Sequence, residues 1–200
     1  MIARFTAATD IAREAGAILR EGYGLRHGVK FKGAVDLVTE YDLRSEKHIL
    51  RRLSTLFPTD AICAEESSSE TPNPDAEFAW YIDPLDGTKE FIKKNGEFTV
   101  NIALIENNVP VFGVVFAPAI DLLFWGSLEK GAWKKEANNP EKTMRVSDKI
   151  DETVQIASSR SHPSDKMDVF LSQFNNFELH PIGSSLKICR VSDGSVHLYP

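Results

Sequence analysis

Basic charge, long apolar runs and cysteine are what this sequence has least of, and each shortage removes a class of function. The formal net charge is −6, and no stripe of Lys and Arg gathers along the chain. A nucleic-acid or anionic-membrane binder needs such a stripe, so neither partner is expected. No apolar run approaches the ~20 residues that cross a bilayer, and the first residues lack the order of an export signal. The expected location is cytoplasmic, with no integral membrane segment, a peripheral position at the inner membrane being the variant left open. Cys63 and Cys189 lie far apart in apolar segments. Free buried thiols are expected from them, not a disulfide or a metal site of Cys spacing. No internal repeat or low-complexity tract is evident. What is there is 200 residues with 42% apolar side chains, enough for a real core in one large or two small domains.

Apolar spacing divides the chain. Residues 2–22 set Ile2, Phe5, Ile11, Ala12, Ala15, Ile18 and Leu19 at helical intervals and stop at Gly22 and Gly24. Residues 42–57 repeat the pattern up to Pro58, with Asp42 as the expected N-cap. His48 lies on that helix among polar neighbours and reads as a surface residue. Residues 28–39 read as a hairpin about Lys32-Gly33, with Lys30 and Lys32 solvated more readily than bound to phosphate. Short strands are expected at 60–66 and 78–82. The β-rich runs 99–106 and 109–118 are joined by Asn107-Asn108, a hairpin turn because Asn tolerates positive φ. Runs 122–125 and 131–135 extend that antiparallel sheet. Phe112, Phe116, Phe124, Trp125 and Trp133 suit a core or sheet face better than a base-stacking platform. The polar stretch 137–151 reads as the join between an N-terminal α+β subdomain, 1–136, and a C-terminal α/β subdomain, 137–200. In the latter, strands at 154–158, 177–181 and 196–199 alternate with helices at 164–174 and 184–191, which implies a mostly parallel sheet. The fold class is mixed, α+β with an α/β part.

The chemistry centres on residues 80–94, WYIDPLDGTKEFIKK. Pro84 fixes its own φ and lacks an N–H, so pairing is expected to stop there and the chain to turn. Such a turn aims the Asp83 and Asp86 carboxylates and the Leu85 carbonyl at one point. Converging hard oxygens suit Mg²⁺ or Mn²⁺. Gly87 allows close approach of backbone to a ligand, and the N–H groups of a helix starting near Lys89 favour an anion. A cation site beside an anion site suggests metal-assisted phosphoryl chemistry. The competing reading is a turn that uses Asp and Gly for conformational reasons alone. Glu65-Glu66 ends the strand at 60–66, and the polar loop 67–77 can fold back to bring Glu65 towards both aspartates. Gly183-Ser184-Ser185 opens a helix whose N–H groups suit an anion or simple capping equally.

The string D-P-L-D-G-T-K-E-F at 83–91 stands with D-L-V-T-x-x-D at 36–42, E-E-S at 65–67 and G-S-S-L-K-x-C at 183–189. Together they resemble the inositol monophosphatase superfamily of Mg²⁺-dependent, lithium-sensitive phosphatases, and within it the bacterial 3′(2′),5′-bisphosphate nucleotidase branch of CysQ type. The resemblance implies a layered αβαβα sugar-phosphatase sandwich. It implies that Glu65, Asp83, Asp86 and the Leu85 carbonyl bind metal, and that Thr88 with Asp42 acts on the attacking water. Substrate contacts are implied for Glu65, Leu85, Asp86, Gly87, Thr88, Gly183, Ser184 and Ser185. The implied cofactor is Mg²⁺, with Mn²⁺ as a substitute and Li⁺ as an inhibitor. The implied partner is a small phosphorylated substrate, and the implied assembly a homodimer. The reaction would convert adenosine 3′,5′-bisphosphate to AMP and phosphate by a metal-activated water. Inositol monophosphate and fructose 1,6-bisphosphate are the other substrates to weigh, and a catalytically dead metal-binding fragment is the alternative from another class. That alternative arises because the family continues beyond the equivalent of residue 200 with a W-D-x-A-A-type motif carrying another metal-binding Asp. A C-terminally truncated sandwich is therefore the expectation.

Overall fold

Two amphipathic helices, α1 (Ile2–Gly22) and α2 (Glu40–Leu56), lie against one face of a seven-stranded sheet. The computed structural model describes residues 1–25, 30–32, 36–67, 76–150, 152–161 and 166–200. A separate antiparallel pair, β1 (Lys30–Lys32) and β2 (Asp36–Val38), forms the hairpin read at 28–39. Its turn, 33–35, lies outside the described residues. The large sheet follows chain order through β3 (Ala61–Ala64), β4 (Phe78–Asp86), β5 (Thr99–Glu106), β6 (Val109–Ala117), β7 (Leu122–Ser127), β8 (Gly131–Glu136) and β9 (Lys142–Thr143). Each neighbouring pair is antiparallel except β3 and β4, which run parallel. Asn107 and Asn108 turn β5 into β6 with φ of 48° and 66°, the left-handed conformation expected of them.

The core follows from two periodicities meeting. Phe5, Ala8, Ile11, Ala12, Ala15 and Leu19 line one stripe of α1, and alternate residues of β4–β6 face them. Those are Trp80, Ile82, Val100, Ile102, Leu104, Phe112, Val114 and Phe116. A Cβ on Gly16 would come within 2.5 Å of the Phe116 ring, so α1 rests directly on β6. Trp80 is fully buried, and truncating such a residue to Ala typically costs about 3–5 kcal/mol.

Two readings on α2 need correction. Thr39, not Asp42, is the N-cap: its hydroxyl accepts the Tyr41 N–H, and Asp42, one turn in, accepts the Thr39 N–H at 2.9 Å. This capping box starts the helix before its apolar period begins. His48 is not a free surface residue. Its side chain is 19% exposed, and its Nε2 lies 2.7 Å from Glu14 Oε2, which also receives Arg52 Nε at 2.9 Å. The polar neighbours of His48 are thus part of the α1–α2 contact. Burial alone would raise the Glu14 pKa, but His48 and Arg52 outweigh it and hold this carboxyl below its usual value.

On the opposite sheet face, Ala117, Leu122 and Phe124 pack against Leu186 and Cys189. This second layer holds β10 (Val154–Ser159), a short helix α4 (Met167–Leu171) and β11 (Phe177–Ile182). It ends in α5 (Leu186–Ser192), with α3 (Thr88–Lys93) belonging to the first layer. β10 and β11 pair in parallel, as the alternating pattern implied. The expected strand at 196–199 is reduced to one bridge from Leu198 to Ile156. The stretch 137–151 contains β9, which the polar composition of Lys142 and Thr143 concealed. Both cysteines are free, and burial pushes the Cys189 thiol up to about 12. Among the described residues, no helix is long and apolar enough to cross a membrane.

Candidate active site

β4 does not stop at Pro84 as its missing N–H suggested; the strand continues to Asp86 through a bulge. Asp83 lies opposite Asn101 and Asp86 opposite Thr99, so three steps on β4 match two on β5. In a regular strand, residues an odd number apart point to opposite faces. The extra residue cancels that alternation and turns both aspartates to one side. Pro84 is what makes the slip inexpensive. It has no donor to lose, its carbonyl accepts Ser45 Oγ at 3.0 Å, and the next N–H, of Leu85, turns back onto Asp83 Oδ1 at 3.2 Å.

Glu65 reaches the same place because β3 and β4 run in the same direction. Ala64 pairs with Ile82, so the residues that follow, Glu65 and Asp83, come side by side at the end of β3. The Glu65 N–H remains bonded to the Ile82 carbonyl at 3.2 Å, and the Glu65 and Asp83 carboxyls are hydrogen-bonded. Burial, then the charges of Asp86 and Glu65, push Asp83 up to about 9, against the opposing Leu85 N–H. The Glu66 N–H donates to Glu46 Oε2 at 2.8 Å.

Gly87 has φ of +90°, and a Cβ there would sit 3.1 Å from the Glu97 carbonyl. Glycine therefore serves both the left-handed turn and the close approach. Thr88 follows, with its Oγ1 3.2 Å from Asp42 Oδ1 and 3.4 Å from the Leu85 carbonyl. The other oxygen of Asp42 accepts both the N–H and the hydroxyl of Thr39, the latter at 2.5 Å. Asp42 is 1% exposed, and burial raises its pKa against these donors.

The turn Gly183-Ser184-Ser185 closes the site from the second layer. Gly183 N–H donates to Glu97 Oε2 at 2.7 Å, and Ser185 N–H to Asp86 Oδ2 at 2.5 Å. Two amides expected to meet an anion are thus engaged by carboxylates of this chain. Ser184 adopts φ of +50°, and its Oγ accepts the Leu186 N–H. Beyond Glu65 and Asp83 opens a cavity of about 550 Å³, with Cys63, Tyr81, Ala103, Gly113 and Val115 among its lining residues.

The donors around Asp83 and Asp86 fit a hard divalent cation. Their hydrogen-bond partners are neutral amides or another acid, so the cluster retains negative charge that no basic side chain in those bonds cancels. The acids meet in sequence, Glu65 with Asp83 and Asp83 with Asp86. Among the described residues, no three His, Cys, Asp or Glu side chains close into a ready cation cage.

The inositol monophosphatase family model matches residues 3–200. The chain belongs to that family. A 3′(2′),5′-bisphosphate nucleotidase CysQ of Salmonella typhimurium is 40% identical over 194 residues, spanning 96% of this chain and 77% of that protein. The CysQ of Escherichia coli K12 is 38% identical over 197 residues with the same coverage of each. The crystal structure of CysQ from Bacteroides thetaiotaomicron superposes with a TM-score of 0.79 at 31% identity, covering 99% of this chain and 79% of that one. The protein is accordingly a phosphatase of a metal-dependent family, and its mixed fold is that of its family neighbours. Residues missed by sequence reasoning are the neutral ones around the acids: Ser45, Thr99 and Asn101. The signal available was polarity at alternate positions, Thr99 and Asn101, in a strand otherwise apolar up to its final Glu106.

Proposed function

We propose that this phosphatase removes the 3′-phosphate of adenosine 3′,5′-bisphosphate, with Mg²⁺ held by Glu65, Asp83, Asp86 and the Leu85 carbonyl. The observation that carries the metal assignment is the bulge that turns Asp83 and Asp86 to one side. The nucleotide assignment rests on relatives of 36–40% identity that bear the nucleotidase name. When bound, the cation supplies charge neutralisation for the phosphate and acidifies a water at neutral pH.

The chain's own residues have separable tasks. Thr88 donates its hydroxyl hydrogen bond to Asp42 and so presents an oxygen lone pair, which accepts a hydrogen bond from the incoming water and orients it. Asp42, fixed through its other oxygen by Thr39, keeps that hydroxyl from rotating away. Gly87 and Thr88 precede the first bond of α3, from Phe91 N–H to the Gly87 carbonyl, and are assigned to the phosphate. With the Gly183 and Ser185 amides and the Ser185 hydroxyl engaged within the chain, contact from 183–185 to substrate falls to Ser184. Mn²⁺ is expected to replace Mg²⁺, and Li⁺ to inhibit.

Phosphate release from adenosine 3′,5′-bisphosphate, inositol 1-phosphate and fructose 1,6-bisphosphate, each with and without chelator, tests both assignments. The expected result is preference for the nucleotide and loss of activity on chelation. Equal or better rates on either sugar phosphate would overturn the substrate assignment, and chelator-insensitive turnover the metal assignment.

A further inference from the structure

Asn101 is not used by the catalytic reading, yet its amide faces both acids. It stands on β5 opposite Asp83, with Nδ2 3.5 Å from Asp83 Oδ2 and 3.3 Å from Asp86 Oδ2. Its Oδ1 accepts the Ser185 hydroxyl at 3.0 Å, and that hydroxyl lies 2.9 Å from Thr99 Oγ1. The orientation of the amide is dictated chemically. Asp86 Oδ2 already accepts the Ser185 N–H, so reversing the amide would set the Asn101 carbonyl oxygen against an acceptor, whereas the Ser185 hydroxyl can serve either orientation.

The effect on Asp86 is specific. Among the described residues, the donors found on it, Ser185 N–H and Asn101 Nδ2, both go to Oδ2. Two donors on one oxygen fix the carboxylate plane and leave Oδ1 for another partner. Asp83 is held at both ends, Oδ1 by the Leu85 N–H and Oδ2 by Asn101. A lysine in place of Asn101 would bring the acids together more strongly, but its charge would compete with a divalent ion. A neutral donor reduces their repulsion while leaving the charge available.

We infer that Asn101, oriented by Ser185 and Thr99, is a positioning residue that holds the Asp83 and Asp86 carboxylates ready for a divalent cation. This rests on the metal assignment made above. Partners of this kind, one bond removed from the ion, typically change metal affinity by about 10–100-fold.

The test is Mn²⁺ titration of the whole chain without substrate, by calorimetry, on wild type, Asp86→Asn, Asn101→Leu and Ser185→Ala, with thermal unfolding of each. Asn101→Leu preserves size and removes the donor; it is expected to weaken Mn²⁺ binding by about tenfold or more. The same variant should need correspondingly more Mg²⁺ for half-maximal phosphate release, while kcat at saturating Mg²⁺ largely recovers. A purely structural role would lower kcat or stability without this rescue. Ser185→Ala keeps the backbone bond to Asp86 and should weaken Mn²⁺ binding by a smaller factor. It carries the test if Asn101→Leu does not fold. Wild-type Mn²⁺ affinity in whichever of these two variants folds overturns the positioning role, provided that Asp86→Asn loses binding. Failure of wild type to bind Mn²⁺, or of Asp86→Asn to change binding, overturns the metal assignment and this inference with it.

Discussion

Asp193 and Asp83 are both held away from free solvent, and their surroundings push them in opposite directions. The Asp193 carboxylate is 0% exposed, with Lys134 Nζ at 2.8 Å and Arg190 Nη1 at 3.3 Å. Ser195 adds its N–H and hydroxyl. Burial alone would raise its pKa, but Lys134 and Ser195 outweigh it and lower it. Asp83, also withdrawn from solvent, meets two more acids and neutral amides, and rises to about 9. The first is a carboxylate whose charge the fold has already answered, joining β8 to α5. The second is one to which, among the described residues, no basic side chain is hydrogen-bonded. Unanswered charge beside a bulge that re-aims it is a mark of a site; a matched ion pair is a mark of structure.

The strongest way to break this comparison is to neutralise one acid in each place. Asp86→Asn should abolish phosphate release, yet leave the metal-free protein as stable as wild type or more so, because it relieves crowding among acids. Asp193→Asn should do the reverse: near-normal turnover with stability lowered by about 1–3 kcal/mol, since a basic side chain loses its buried partner. Urea unfolding with chelator present and phosphate-release assays measure the two effects. If the variants exchange phenotypes, the distinction fails.

A smaller effect sharpens it through pH. Folded Asp83 keeps its proton up to about 9, whereas an unfolded Asp loses it near pH ~4. The folded state binds more protons across that window, so metal-free stability should fall as pH rises through it. Saturating Mg²⁺ should flatten the slope by replacing the proton. Asp193 has the opposite sign: its contribution is present above the ordinary Asp value and is lost as pH falls through its lowered folded value. Unfolding curves from pH 5 to 9, with and without Mg²⁺, read the first effect, and curves below pH 5 the second. Metal-free stability that climbs between pH 5 and 9 would contradict the assignment to Asp83.

Much of the framework was legible because it follows from period. The stripe on α1, the alternation on β5 and β6 and the Asn107-Asn108 turn each use one local rule. The site was legible as a set of residues and less so as a geometry. Asp83 and Asp86 could be named from their string, but their shared orientation depends on a register slip against Thr99 and Asn101. Pro84 pointed to a break in pairing, and the strand instead absorbed it as a bulge. The arrival of Glu65 depends on β3 choosing a parallel partner, a tertiary decision that residues 60–66 do not encode alone. Local spacing alone read Asp42 as a cap, and only the resemblance paired it with Thr88, a contact that spans 46 positions. Asn101 lay in plain view in an apolar strand, but nothing local said which partners its amide would meet.

The grip of the Ser185 amide on Asp86 has a mechanical corollary. The seam between the two layers runs through the carboxylate that is assigned to the cation. Drawing that oxygen towards an ion tugs on the joint, and slackening the joint lets the oxygen wander. Chemistry at Asp86 should therefore be audible as a change in amide hydrogen exchange at Gly183–Ser185, well before any strand of the sheet responds.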